Sequence, residues 1–363
     1  MHMYVYIFMY IMFYLLSLSC PLCCRSFVYQ HDHICKHRWM RVTCCISTWH
    51  ATLTPLSLVP RQRRKMGNML AKPETQKFST VFETSHLRVG CCSMQGWRKS
   101  MEDAHVAQLN INGNKDQAFF GVFDGHQSDE ASRYCRAHML DELLKNIAIY
   151  KGDVAKAFEV SFQEVDKQIC KKFVSSGTTA NCVFLADQQI ICANAGDSRA
   201  VLYRGGKVVP LSVDHKPSVP AEEARIVAAG CHVENGRVNM TLAVSRALGD
   251  VDFKSCSAKS WVDQPVTACP DITVTPSRSE DEFIVIGCDG IWDVLSNEEC
   301  CDLVKTLIQN SDIDKNGHSV MVDISLVCEQ VLDRCLAQSN SVKAGTDNMT
   351  IIVVQFKPPF FEG

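Results

Sequence analysis

Apolar positions between residues 85 and 357 recur with two distinct periods. Val154, Phe158, Val165, Ile169 and Phe173 step by four, seven, four and four, the spacing of one helix face. Asp153 stands just before this stripe and is expected to cap it. Shorter apolar runs of strand length fill 86–94, 104–109, 118–123, 177–186, 189–195 and 199–203. Gly205-Gly206, between Arg204 and Lys207, marks a hairpin turn. A helix is predicted over 221–229, stopped by Gly230. Strands follow at 272–275 and 283–288, helices at 297–309 and 320–336, and a last strand at 350–356. Val320, Ile324, Val327, Val331 and Cys335 mark the apolar face of the last helix, and 311–319 reads as a polar loop. Many strands in short hairpins, with helices in separate blocks, predict an α+β fold. Two antiparallel sheets packed together, with helices outside, are expected.

Composition changes this picture in one respect. The chain has 363 residues, 46% hydrophobic and 21% charged, with a net charge of −3. That balance excludes wholesale disorder, collagen and a polytopic membrane protein. The charge is unevenly spread. Residues 1–65 hold eight basic side chains and one acid, net +7, so the remainder has 29 against 39, net −10. An acidic body disfavours nucleic acid as a partner. Six of the 20 cysteines also fall in 1–65. The other 14 show no repeated spacing, which fits small buried thiols in a reducing compartment.

Residues 1–65 therefore read as material apart from the rest. Residues 1–18 are nearly all apolar, and basic residues begin only at Arg25. Three readings fit: a leader ahead of a start at Met66, a signal anchor, and a secretory signal. Met66-Gly67 followed by Ala71-Lys72-Pro73 offers Gly67 for N-myristoylation, although the consensus has Ser or Thr where Ala71 stands. Asn239-Met240-Thr241 and Asn348-Met349-Thr350 would be glycosylated in the secretory lumen, which argues against secretion. Cys20 and Cys23, with Cys35 and His37 beyond, have half of a zinc spacing and lack a second clean pair. The expected division is 1–65 as a non-catalytic leader, 66–84 as an N-terminal segment, 85–357 as the catalytic domain and 358–363 as a tail. The expected location is cytoplasmic or nuclear. Membrane contact is expected only through Gly67 acylation or the N-terminal apolar segment, and the protein is expected to be a monomer.

Carboxylates carry the candidate chemistry. Asp124 follows the apolar run 118–123 and precedes Gly125-His126, and Asp289 stands likewise after 283–288 and before Gly290. Asp197 follows Asn194-Ala195-Gly196, Asp347 precedes Asn348 and a strand, and Glu102-Asp103 adds two adjacent acids. Carboxylates gathered at one sheet edge repel one another unless a cation sits among them. Oxygen donors without a Cys or His cluster select hard ions such as Mg²⁺ or Mn²⁺. Any single Asp-Gly is more often a turn. Spacing alone leaves a metal site of unknown purpose.

Longer motifs are more specific. Gly96-Trp97-Arg98-Lys99-Ser100-Met101-Glu102-Asp103-Ala104-His105 closely resembles the opening motif of the metal-dependent type 2C protein phosphatases. Val122-Phe123-Asp124-Gly125-His126 is similar to their second motif. Ser176-Gly177-Thr178-Thr179-Ala180, residues 194–200 and residues 243–250 resemble the next three. Cys288-Asp289-Gly290-Ile291-Trp292-Asp293 and Gly345-Thr346-Asp347-Asn348-Met349-Thr350 complete the set in the family's order. The resemblance covers about residues 80–357. It implies a serine/threonine phosphatase on a four-layer αββα sandwich, with a binuclear Mn²⁺ or Mg²⁺ centre at one end. By that resemblance Asp124 bridges two ions. The Gly125 carbonyl, Asp289 and Asp347 complete one ion's protein ligands, and Glu102 serves the other. Water between the ions would attack phosphorus in line, without a phosphoenzyme. Arg98 would grip the phosphate, His126 would protonate the departing oxygen, and Asp103 would hold a water on the metal. Asp197 and Asp293 match positions of a third, weaker ion, and Thr178 and Asn348 would orient the ligands. The expected substrates are phosphoproteins.

The chain also departs from the family's pattern. Gln127-Ser128 stands where the family often has Gly-Gly after the second motif, and Cys231 and Met240 replace small residues near the expected flap. Asp312, Asp314, Asn316, Gly317 and Asp323 match positions of a calcium loop, but its last position should be Glu, so a solvated loop is expected. Two other functions compete with the phosphatase: a catalytically inactive regulatory module on the same fold, and a two-metal phosphodiesterase or nuclease. Filled ligand positions disfavour the first, and the acidic body disfavours the second.

Overall fold

In the computed structural model the described residues are 69–311, 323–342 and 344–357. The zinc-like spacing, Gly67, Val320 and most of the calcium-like loop lie outside them. The chain divides into two units, Met1–Gln62 and Arg63–Gly363, and every described residue belongs to the second.

The chain begins with β1 (Met69–Glu83) and β2 (Leu87–Arg98), then β3 (Ala104–Leu109), β4 (Ala118–Phe123) and the short β5 (Gly125–His126). Helices α1 (Glu130–Ile149) and α2 (Val154–Lys172) follow. Next come β6 (Gly177–Thr178), β7 (Ala180–Ala186), β8 (Gln189–Ala195), β9 (Arg199–Arg204) and β10 (Lys207–Pro210). Helix α3 (Pro220–Ala228) leads to the short strands β11 (Val233–Glu234), β12 (Arg237–Val238) and β13 (Leu248–Gly249). The chain closes with β14 (Asp271–Pro276), β15 (Asp281–Gly287), α4 (Asp289–Trp292), α5 (Asn297–Ser311), α6 (Ile324–Cys335) and β16 (Met349–Phe356).

Two antiparallel sheets dominate. One runs β1-β2-β16-β15-β9-β10 and the other β14-β8-β7-β4-β3. Strand alternation divides their side chains between three apolar layers. On β15, Phe283 and Val285 face α5 and α6, whereas Ile284 and Ile286 face the second sheet. On β4, Phe120 and Val122 enter the same inter-sheet layer, and Phe119 and Phe123 face α1 and α2. The inner strands β4, β7, β8, β15 and β16 are covered on both faces, so they read as unbroken apolar runs instead of alternating ones. The order is helices, sheet, sheet, helices, as expected.

All 14 described cysteines are free. Ten are buried and are shared among the layers. Cys92, Cys300, Cys301, Cys328 and Cys335 lie under α5 and α6; Cys91, Cys192 and Cys288 lie between the sheets; Cys135 and Cys182 lie under α1 and α2.

The strand expected over 177–186 divides into β6 and β7, which belong to different sheets, and α6 spans Ile324–Cys335 within the expected 320–336. Two further elements were not read in the sequence. Residues 69–83, read as a segment ahead of the domain, form β1 at the edge of the six-stranded sheet. The charged Lys72, Glu74 and Lys77, with Pro73, hide it, and such residues are what an edge strand uses to discourage further pairing. The pairing with β2 is irregular around Pro73, with register shifts on both sides of Glu74. Helix α1 went unread because its buried face carries Ala131, Ser132, Cys135 and Asn146 beside Met139 and Leu143, a weak apolar stripe. Asp153 caps α2 as expected, accepting from the Lys156 N–H at 2.9 Å. Asp323, the last position of the calcium-like loop, caps α6 through the Ser325 N–H at 3.0 Å.

Between α3 and β14 a small separate cluster packs Ile226, Val238, Leu242, Val244, Ala247 and Val266. Glu222 anchors it. Its carboxylate accepts from Ser245 Oγ at 2.6 Å, Arg225 Nη1 at 2.7 Å and Arg246 Nη2 at 2.8 Å. Burial would raise the Glu222 pKa, but Arg246, Ser245 and Arg225 outweigh it and hold the group at about 2, below the ordinary 4.5. A depressed carboxylate pKa stabilises the fold above the unfolded value and loses that contribution as pH falls through the folded one. Glu222 should therefore contribute on the order of 3 kcal/mol above pH ~4.5, lost progressively toward pH ~2. Urea unfolding of wild type and Glu222→Gln across this window checks it. The stability gap between the two should close as the medium is acidified, and a gap independent of pH would contradict the linkage.

Candidate metal centre

One edge of the paired sheets gathers the acids. Asp124 lies in the step from β4 to β5, Asp289 opens α4 directly after β15, Asp347 immediately precedes Asn348 and β16, and Glu102-Asp103 joins β2 to β3. Strand ends converge there because both sheets run their apolar residues inward and release a polar residue at the edge.

The loops are held by specific ties. Asn348 Oδ1 accepts from the Glu102 N–H at 2.9 Å, and Nδ2 donates to the Gln95 and Ser100 carbonyls at 2.8 and 3.0 Å. One side chain thus fixes the β2–β3 loop to the loop before β16, which carries Asp347. Two glycines allow the approach. A Cβ on Gly125 would fall under 3.0 Å from the Glu102 carbonyl oxygen, and one on Gly290 equally close to the Asn348 carbonyl oxygen. Ser132 Oγ also donates to the Glu102 carbonyl.

Thr178 and Thr179 divide the role expected of Thr178. The Thr178 backbone pairs with Gly125 and Leu248, and its hydroxyl donates to the Thr179 carbonyl at 2.9 Å. Thr179 is the residue that grips Asp124: its Oγ1 accepts from the Asp124 N–H at 3.1 Å, and its N–H donates to the Asp124 carbonyl at 2.9 Å.

Electrostatics supply the strongest signal. Burial, then repulsion by Asp289, Asp103 and Asp347, push the Asp124 carboxyl well above the ordinary range. Asp289 is pushed the same way by burial and by Asp197, Asp347 and Asp293. Asp103 is raised to about 7, mainly by burial, although Thr350 Oγ1 donates to it at 2.7 Å. Among the described residues, two buried carboxylate oxygens, Asp103 Oδ1 and Asp289 Oδ1, find no hydrogen-bond partner. Crowded, desolvated carboxylates with unsatisfied oxygens fit a divalent cation, which would satisfy the oxygens and cancel the repulsion. Among the described residues, Asp103, Asp124 and the unanticipated Cys288 form a group in which each offers one ligand atom within 4.8 Å of the others. Burial and the neighbouring acids hold the Cys288 thiol protonated. It accepts from the Thr350 N–H at 3.2 Å and donates to the Asn348 carbonyl at 3.5 Å. The site therefore presents oxygen donors to a hard ion.

Arg98 pairs with Asp347, and its buried Nε has no partner among the described residues. His126 Nε2 lies 2.8 Å from both Asp250 carboxylate oxygens. Burial disfavours the imidazolium, but Asp250 outweighs it, so the His126 pKa is raised. Asp197 is buried and paired with Lys216, whereas Asp293 is exposed at the end of α4. Thr179, Thr350, Cys288 and Lys216 were not anticipated. Thr179 and Thr350 lie inside quoted motifs, but only their partners across the fold show what they hold. Two of the departures noted in the sequence sit in left-handed backbone: Gln127 has φ 68° and Met240 φ 59°. A glycine would adopt both without strain, and each non-glycine residue there costs about 1 kcal/mol.

Comparison with known proteins places these observations. The sequence profile of protein phosphatase 2C matches residues 87–343. Protein phosphatase 2C homolog 2 of Schizosaccharomyces pombe is 40% identical over 301 residues, covering 80% of this chain and 79% of that protein. Human protein phosphatase 1B is 40% identical over 310 residues, covering 80% of this chain and 62% of that protein. A crystal structure of a phosphatase from Toxoplasma gondii superposes with a TM-score of 0.63 at 24% identity, covering 77% of this chain and 96% of that one. A matching profile across most of the domain, relatives at this identity and the carboxylate edge agree, and the chain belongs to the protein phosphatase 2C family of metal-dependent serine/threonine phosphatases.

Proposed function

We propose that this phosphatase hydrolyses phosphoserine and phosphothreonine at the sheet-edge carboxylates, with two divalent ions, Mn²⁺ or Mg²⁺, held by Asp124, the Gly125 carbonyl, Asp289, Asp347 and Glu102. The supporting observation is the pair of buried, unpartnered carboxylate oxygens on Asp103 and Asp289 within a cluster of mutually raised acids. Bound there, the ions supply positive charge that makes water acidic enough to attack phosphorus near neutral pH and that neutralises the phosphoryl oxygens.

The chain's own residues do the rest. Asn348 fixes Glu102 relative to Asp347, so the acids keep their spacing as the substrate changes. Asp103, anchored by Thr350, presents its free oxygen as an acceptor inside the site. Arg98 is tied to Asp347 through one nitrogen, which leaves the rest of its fork for phosphate oxygens. Asp250 occupies His126 Nε2 and favours the charged form of the ring, so Nδ1 is the nitrogen left to give a proton to the departing serine or threonine oxygen.

Hydrolysis of a phosphothreonine peptide, with and without Mn²⁺, tests this reading. Turnover should require the ion. Arg98→Lys should raise KM about tenfold, the loss of one bidentate contact, with a smaller effect on kcat. Turnover in EDTA equal to that in Mn²⁺ would overturn the metal assignment.

A further inference from the structure

Asp197 is expected from the sequence to help hold a third ion, but its carboxylate already has a cation. Lys216 Nζ is bound to Asp197 Oδ2 in an ion pair, with the Asp197 side chain 4% exposed and that of Lys216 35% exposed. The pair is built in, because the residue before each partner is tied to the other. The His215 N–H donates to the Gly196 carbonyl at 3.0 Å, and the Gly196 N–H donates to His215 Nδ1 at 3.2 Å. His215 Nε2, the protonated nitrogen, faces Asp271 Oδ2 at 3.1 Å, and Asp271 is bound in turn by Arg246 Nη1 at 2.7 Å. Lys216 therefore reaches Asp197 from a backbone that cannot easily swing away. Its ammonium also feels Asp289 and Asp293, both of which favour its charge.

We propose that Lys216 is a tethered cation that holds the place beside Asp197, so that the protein binds two divalent ions and admits a third only by displacing this side chain. The inference rests on the two-ion reading above. It makes Lys216 a positioning residue that sets metal stoichiometry. Asp197, left without either cation, would be a buried and unneutralised carboxylate, which is costly.

Calorimetric titration of the full chain with Mn²⁺ tests it, using wild type, Lys216→Met, Lys216→Arg and the double variant Lys216→Met/Asp197→Asn. Wild type should show two sites. Lys216→Met should add a third, or tighten a weak third by about tenfold or more. Lys216→Arg, which keeps the charge, should bind like wild type, and the double variant should lose the added site. Thermal melting gives a second readout: without metal, Lys216→Met should melt below wild type, and Mn²⁺ should raise its Tm by more. Two sites in wild type with unchanged stoichiometry and affinity in Lys216→Met would overturn the role of Lys216 alone. A wild type that binds no ion would overturn the two-ion reading, and this inference with it.

Discussion

Asp289→Asn is expected to lower kcat for phosphopeptide hydrolysis by about 10³-fold or more, the several kcal/mol that a catalytic ion contributes. The folded protein should survive. Asp289 opens α4 beside Asp197, Asp347 and Asp293, and its carboxyl is raised by burial and by their repulsion. An amide keeps the shape and removes one charge from the crowd. Without metal the variant should therefore melt at the wild-type temperature or above it. Added Mn²⁺ should raise its Tm less than it raises that of wild type, because ligand binding stabilises only as far as it binds the native state. Turnover in saturating Mn²⁺ within a few-fold of wild type would remove Asp289 from the site.

Gly290→Ala should damage the same centre by a different route. The new Cβ would fall under 3.0 Å from the Asn348 carbonyl oxygen, which is backbone and cannot rotate aside. Either α4 or the loop before β16 must move. That loop carries Asp347, the partner of Arg98, and Asn348, the tie to Glu102. Overpacking of this kind costs about 3 kcal/mol. The expected result is a lower urea midpoint together with a kcat loss of at least tenfold, although no side chain with a chemical role has been changed. A normal midpoint would show that this contact is not tight in solution.

Much of this was legible in the chain. The strands under both sheets are short apolar runs bounded by turns, and α2 has a clean stripe with its cap. The acids were legible because each sits at a strand end, and because whole motifs surround them. What the sequence hid follows from two physical causes. Helix α1 buries small and polar residues beside its few large apolar ones, and the edge strand β1 buries none of its side chains fully, so neither leaves a hydrophobic signature. The ties of the site join distant positions: Asn348 to Glu102, Thr350 to Asp103 and Arg98 to Asp347 are contacts between the two ends of the domain. Local spacing carries no record of such pairs. Lys216 is the sharpest case, since a lysine before a proline reads as surface until Asp197 is seen beneath it.

The cysteines, finally, give the molecule an address system. Each apolar layer holds its own thiols, five under α5 and α6, three between the sheets and two under α1 and α2. Burial raises their pKa values, Cys91 and Cys192 to about 12, so in the closed structure they are poor nucleophiles. A thiol reagent can reach them only when the layer around them opens. Which sulfur is tagged first, read by mass, would therefore report the order in which the sandwich comes apart, with no probe engineered into it.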